Sequence, residues 1–166
     1  MKPVMTIDEL GTRHWKLYGE YHREDGPAIE YFSGRKDWFI NGKLHREDGP
    51  AIEHSDGGKA WCINGNFHRI DGPALEYVGG TKKWYINGKC HREDGPAIEW
   101  IDGKKEWLIN GKRHREDGPA IEHVDGRKEW YINGKEIDLK QVIKDNPNGY
   151  GPWPASELIK FKLKYL

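Results

Sequence analysis

Trp38-Phe39-Ile40-Asn41-Gly42-Lys43-Leu44-His45-Arg46-Glu47-Asp48-Gly49-Pro50-Ala51 is the stretch that decides the fold. Asn-Gly between apolar residues is the strongest short hairpin signal, because both central residues of a type I′ turn need φ > 0. The stretch then returns along the chain. His-Arg-Glu/Ile begins at His22, His45, His68, His91 and His114, always 23 residues apart. Tryptophan keeps the same step through Trp15, Trp38, Trp61, Trp84, Trp107 and Trp130. Self-similarity at a fixed period in the twenties is the mark of a repeat architecture.

Each unit reads as β. A second turn sits at Ser33-Gly34, Asp56-Gly57, Gly79-Gly80, Asp102-Gly103 and Asp125-Gly126. Between the two turns lies a strand such as Lys36-Asp37-Trp38-Phe39-Ile40. Its side chains alternate, with Trp38 and Ile40 on one face and Asp37 and Phe39 on the other. Proline cannot donate to a ladder, so Asp48-Gly49-Pro50 and its equivalents mark a bulge or an edge. Gly and Pro interrupt every stretch before two helical turns could form. The expected fold is mainly β: an elongated antiparallel meander of stacked hairpins, two strands per repeat, with a short α-helical C-terminal cap.

The expected domains are an N-terminal lead-in over 1–14, a five-unit array over 15–136 and the helical cap over 137–166. Trp15-Lys16-Leu17-Tyr18-Gly19 keeps the Trp and the Gly but has Tyr in place of Asn, as suits a terminal unit. Beyond Ile137, Asp138–Lys144 reads as a short helix stopped by Asn146-Pro147. Leu158–Leu166 fits strand alternation and one helix face alike, and the Pro154-Ala155-Ser156-Glu157 start favours helix.

The spacing Trp-x-x-x-Gly-Lys-x-His, carried by Trp38, Gly42, Lys43 and His45 with Tyr31 and Gly34, resembles the MORN repeat family from Trp15 to Lys135. The closest likeness is to the variant repeats of bacterial antitoxin-like proteins and of phage and large-virus proteins. Where that family carries paired glycines after the Lys, this chain has Arg46 and Asp48, followed by Gly49-Pro50. The resemblance implies a stacked-hairpin scaffold for protein–protein contacts, in some relatives for lipid headgroups, and no active site.

Composition narrows the function further. Lys and Arg total 27 and so do Asp and Glu, which argues against a nucleic-acid binder and against docking on an anionic membrane. No apolar run approaches the roughly 20 residues of a membrane span, and the N-terminus lacks the apolar core of a signal peptide. Two cysteines, Cys62 and Cys90, are too few for a disulfide scaffold and read as small apolar fillers. A cytoplasmic protein is expected.

The histidine ladder invites a metal, and geometry decides against it. Equivalent rungs stand roughly 9–10 Å apart, whereas two zinc ligands must lie within roughly 4 Å of each other. The histidines are therefore expected to bond backbone at the bend. Arg23, Glu24, Asp25 and Glu30, with their repeats, read as a solvated face laced with ion pairs; Ile70 stands where the other units have Glu. The tryptophans, with Ile40, Ile63, Ile86, Ile109 and Ile132, are expected to form the core.

What folding requires should recur, so attention falls on columns left free. One is Tyr31, His54, Tyr77, Trp100 and His123; another is Phe39, Cys62, Tyr85, Leu108 and Tyr131; a third is Tyr21, Leu44, Phe67, Cys90 and Arg113. They mark either relaxed packing or tailored contacts. Within them Tyr31, His54, Tyr77, Trp100, His123, Tyr85 and Arg113 are the candidate partner-binding residues, since aromatics and Arg dominate interface energetics. No catalytic motif, metal site or cofactor-binding loop is present in the sequence. A non-enzymatic interaction module is expected, and by resemblance an inhibitor of a partner protein. The alternative is a sponge that holds a nucleotide-like metabolite in an aromatic groove anchored on Arg113. Open sheet edges also make a homo-oligomer conceivable.

Overall fold

The structure, a computed structural model, describes residues 1–137. The helical cap expected beyond Ile137 lies outside the described residues, as does the helix-or-strand question at 158–166. Among the described residues every regular element is a β-strand, and the chain is an antiparallel meander of repeated hairpins. It divides into two compact units, Met1–Lys89 and a second that begins at Cys90.

In the first unit the 23-residue period becomes a ladder of very short strands. Ile29–Glu30 pairs with Lys36–Asp37, which pairs with Ile52–Glu53, then Lys59–Ala60, Leu75–Glu76 and Lys82–Lys83. Directly opposite partners, such as Lys36↔Glu53 and Asp37↔Ile52, share a face. At the start, Val4–Ile7 pairs with Arg13–Leu17, which pairs with Ile29–Glu30. The second unit repeats the pattern with Ile98–Glu99, Lys105–Glu106, Ile121–Glu122 and Lys128–Glu129.

Trp15, Trp38, Trp61 and Trp107 are corners. The backbone N–H of each donates to the next repeat's Ala carbonyl, as from Trp38 to Ala51 at 2.8 Å, and beyond it the strand leaves the main ladder. Phe39–Ile40 then folds back on Lys43–Leu44 across Asn41-Gly42. These hairpins bond to each other in turn, through Gly65 N–H to the Leu44 carbonyl and Arg46 N–H to the Cys62 carbonyl. A repeat therefore supplies two ladders rather than two strands of a single sheet.

Both expected turns form. Asn41 (φ 48°) and Gly42 (φ 72°) make the type I′ hairpin, and Tyr18 (φ 53°) takes the same left-handed conformation in the terminal unit. At the other end, Gly34 N–H donates to the Tyr31 carbonyl and Tyr31 N–H to the Arg35 carbonyl, a type I turn closed by Gly34 in the left-handed region.

The core is made of small residues. Ala28, Ala51 and Ala74 are 0% exposed and pack beside buried Ile29, Ile52, Ala60 and Cys62. In the second unit Ala97, Ala120 and Ile121 do the same. The tryptophans are only half-buried. Four of the rings are roofed by a guanidinium: Arg23 over Trp15 at 4.1 Å, Arg46 over Trp38 at 4.2 Å, Arg69 over Trp61 at 4.0 Å and Arg115 over Trp107 at 4.0 Å. A planar cation satisfies the ring's face without removing its own charge from water, so full burial is unnecessary.

Candidate interaction surface

The invariant residues hold one another. Arg46 donates to Asp48 at 2.9 Å, to the Pro50 carbonyl at 3.3 Å and to Glu53 at 3.0 Å, and this clamp recurs at Arg69, Arg92 and Arg115. The arginine's hydrogen bond keeps the carboxyls of Asp25, Asp48, Asp71 and Asp94 below the usual aspartate range. The histidines do bond backbone, though not at their own bend. The Asn41 amide donates to His22 Nδ1 at 3.2 Å, Asn64 to His45 at 3.2 Å and Asn133 to His114 at 3.1 Å. Each imidazole thus fixes the type I′ turn of the next repeat. Between successive bends lie open clefts, one lined by Trp38, Ile40, His45 and Arg46, another by Trp107, Ile109, His114 and Arg115. Their rims carry Glu24, Asp25, Glu47 and Asp48 in the first unit.

The column of Tyr31, His54, Tyr77, Trp100 and His123 lies on the other face of the main ladder, with Ile29, Ile52 and a further column: Asp37, Ala60, Lys83, Glu106 and Glu129. Sequence reasoning passed over this last column, although it varies as much as the three it chose. Asp37 is only 2% exposed and Glu106 only 5%. Arg35 grips Asp37 with two bonds of 2.7 and 2.8 Å, and the Tyr31 hydroxyl donates to it at 3.2 Å. Trp100 Nε1 donates to Glu106 at 3.1 Å, joined by Lys104 at 2.8 Å and Arg113 at 3.2 Å. Burial pushes the Glu106 carboxyl up, but these three donors together bring it below the ordinary glutamate value. His123 meets Glu129 at 2.6 Å, with the Tyr131 hydroxyl at 3.1 Å, and the histidine contact lowers the Glu129 carboxyl. Where the acid is absent the pairing lapses. His54, matched to Ala60, is exposed, and half-exposed Tyr77 has Lys83 at 5.5 Å from its ring.

The other two columns stack on each other between repeats. Tyr21 meets Phe39 at 5.5 Å and Phe67 meets Tyr85 at 5.4 Å between ring centroids, while the Arg113 guanidinium lies 5.2 Å from the Tyr131 ring. Cys62 and Cys90 are buried in this layer, and burial raises the Cys62 thiol to about 11. Tyr31, Trp100, His123, Tyr85 and Arg113 are thus drawn into the packed layer, while His54 and Tyr77 face solvent.

Beside that layer runs a row that sequence reasoning missed. The first of the second turn's two central residues is Phe32, Ser55, Val78, Ile101 or Val124. Phe32 is 84% exposed and Val78 60%; Ile101 and Val124 are likewise exposed. Within each unit these turns join strands of the main ladder at the same end, so its tips stand in line. A Cβ on Gly34 would meet Ser55 at 3.6 Å, and one on Gly103 would meet Val124 at 3.9 Å. The readable signal was an apolar residue placed where turn chemistry favours Ser, Asn or Asp. No protein-family model matches the chain, and no curated protein is found to match it.

Proposed function

We propose that this chain is a MORN-like, non-enzymatic repeat module of the cytoplasm that binds a partner protein along its Gly-turn tips and thereby inhibits it, in the manner of antitoxin-like or viral counter-defence proteins. One observation carries the binding surface: four of the five tips place a large apolar side chain in water, next to half-exposed Tyr77 and exposed His54. Exposed apolar groups ringed by polar residues are what protein interfaces use. The MORN-like assignment draws its support from the 23-residue hairpin repeat, and the inhibitory role from the family likeness.

The nucleotide-sponge reading has weaker support. Its anchor, Arg113, is already engaged by Glu106 and Tyr131, and the arginines of the open cleft in the first unit, Arg23 and Arg46, are already paired with Asp25 and Asp48. Affinity capture from a lysate of the producing cells, with wild type and a Phe32→Ser/Val78→Ser/Ile101→Ser/Val124→Ser variant side by side, tests the proposal. A stoichiometric protein held by wild type and lost by the variant supports it. A partner held equally by both, or a metabolite released on heating with no protein present, refutes it.

A further inference from the structure

The main ladder carries a row of lysines that the fold does not use. Lys36, Lys59 and Lys82 in the first unit, and Lys105 and Lys128 in the second, recur at the same position of every full repeat and are exposed. Their cross-strand partners are Glu53, Glu76 and Glu122, yet those carboxylates are held by Arg46, Arg69 and Arg115. Among the described residues none of these five lysines makes an ion pair. Side chains that the fold needs recur because they have partners in it; these recur without one.

On the same face, at the opposite end of each repeat, the bends present Glu24 and Asp25, Glu47 and Asp48, then Asp71 in the first unit, and Glu93, Asp94, Glu116 and Asp117 in the second. The bend belongs to this face because its arginine stacks on the tryptophan and binds the ladder's Glu. Glu24, Glu47 and Glu93 are almost fully exposed, each with a histidine Nε2 at 3.6–3.7 Å. Each unit therefore bears two parallel bands, one of lysines and one of carboxylates. Each advances by two strands, roughly 9.6 Å, per repeat.

We infer that this face of the first unit docks the same face of a second copy of the chain. Turning one copy by 180° about an axis parallel to the bands lays its lysine band on the partner's carboxylate band, and the reverse at the same time. The two pitches agree at every rung because they are the same pitch. Such a contact is isologous and closes on itself as a dimer. A chain with no net charge has nothing long-ranged to oppose it. No other partner matches both bands by construction. The surface is distinct from the turn tips, so the dimer and the inhibitor reading stand or fall separately.

Sedimentation velocity of the full chain, at tens of micromolar, decides the matter. Dimer is expected at about 50 mM salt, with dissociation at least tenfold easier at about 500 mM, where the screening length falls to a few ångströms. Lys36→Glu/Lys59→Glu/Lys82→Glu and Glu24→Lys/Glu47→Lys, both confined to the first unit, are each expected to be monomeric and, mixed together, to form a heterodimer. That recovery also proves that both variants are folded. Lys43→Glu/Lys89→Glu/Lys112→Glu, the same charge change on the Asn-Gly hairpins, is expected to dimerise as wild type does. A monomeric wild type at low salt, a dimer that survives the first substitution, or a control that dissociates equally overturns the inference.

Discussion

The two faces of the main ladder obey different rules. On one, Trp, Arg, Asp and Glu recur in every full repeat and each arginine makes the same three bonds. On the other, the same rungs hold Asp37, Ala60, Lys83, Glu106 and Glu129, and the neighbouring side chains change to suit them. The first face is held by one solution copied along the chain. The second is solved afresh in each repeat: a hydroxyl for Asp37, an indole N–H for Glu106, an imidazole for Glu129. Variation inside a protein is thus no direct sign of a binding surface, because a packed layer can vary by exchanging matched pairs.

The sharpest way to break this contrast is to remove one copy of the invariant clamp. Trp61→Ala is expected to cost about 2–3 kcal/mol in chemical denaturation, less than a fully buried tryptophan because its ring is half-exposed. Arg69→Ala is expected to cost about 1–2 kcal/mol, since it unroofs Trp61 and leaves Glu76 without its cation. If either change falls within about 0.5 kcal/mol of wild type, the range of ordinary surface substitutions, the clamp is not what holds the repeat.

Acid probes both faces together. Asp25, Asp48, Asp71 and Asp94 are held below their ordinary value by arginine hydrogen bonds, and Glu106 and Glu129 by their own donors. A carboxyl with a lowered folded-state pKa contributes stability above its unfolded value and loses it as pH falls through the folded one. Those carboxyls therefore leave the melting temperature level from pH 7 to about pH 5 and lower it below about pH 4. A melting temperature unchanged between pH 5 and pH 3 would contradict the lowered values.

The smallest expected effect is at the solvent-facing end of the variable column. Tyr77→Ala is expected to stay within about 0.5 kcal/mol of wild type, because half its ring is exposed and it serves no buried acid. Thiol labelling gives an independent check on the layer itself. Cys62, buried and raised to about 11, is expected to resist modification at pH 8 until the chain unfolds.

Much of the fold was legible in the sequence. The period gave the repeat, Asn-Gly gave the type I′ turns and the second Gly gave the other hairpin. What stayed hidden depended on which side chains meet, at separations from 2 to 19 residues. Nothing local says that Arg46 will roof Trp38, so the tryptophans read as core while the tightest packing falls to Ala51. Nor does the sequence show that His45 reaches the turn at Asn64, or that Asp37 lies buried behind Arg35 and Tyr31. Of the candidate binding residues, the aromatic column was visible but its pairing with the acid column was not. The exposed tips at Phe32 and Val78 appeared only once the turns were placed at one end of the ladder.

The central claim is that the Trp-Arg-Asp-Glu clamp of the invariant face serves the fold and the Gly-turn tips serve the partner. Hydrogen exchange of the chain alone and with its captured partner tests this most directly. The account predicts new protection at the amides of 31–35, 77–81, 100–104 and 123–127, with no change at 45–50 and 114–119. Protection confined to those bends and the clefts between them would contradict it.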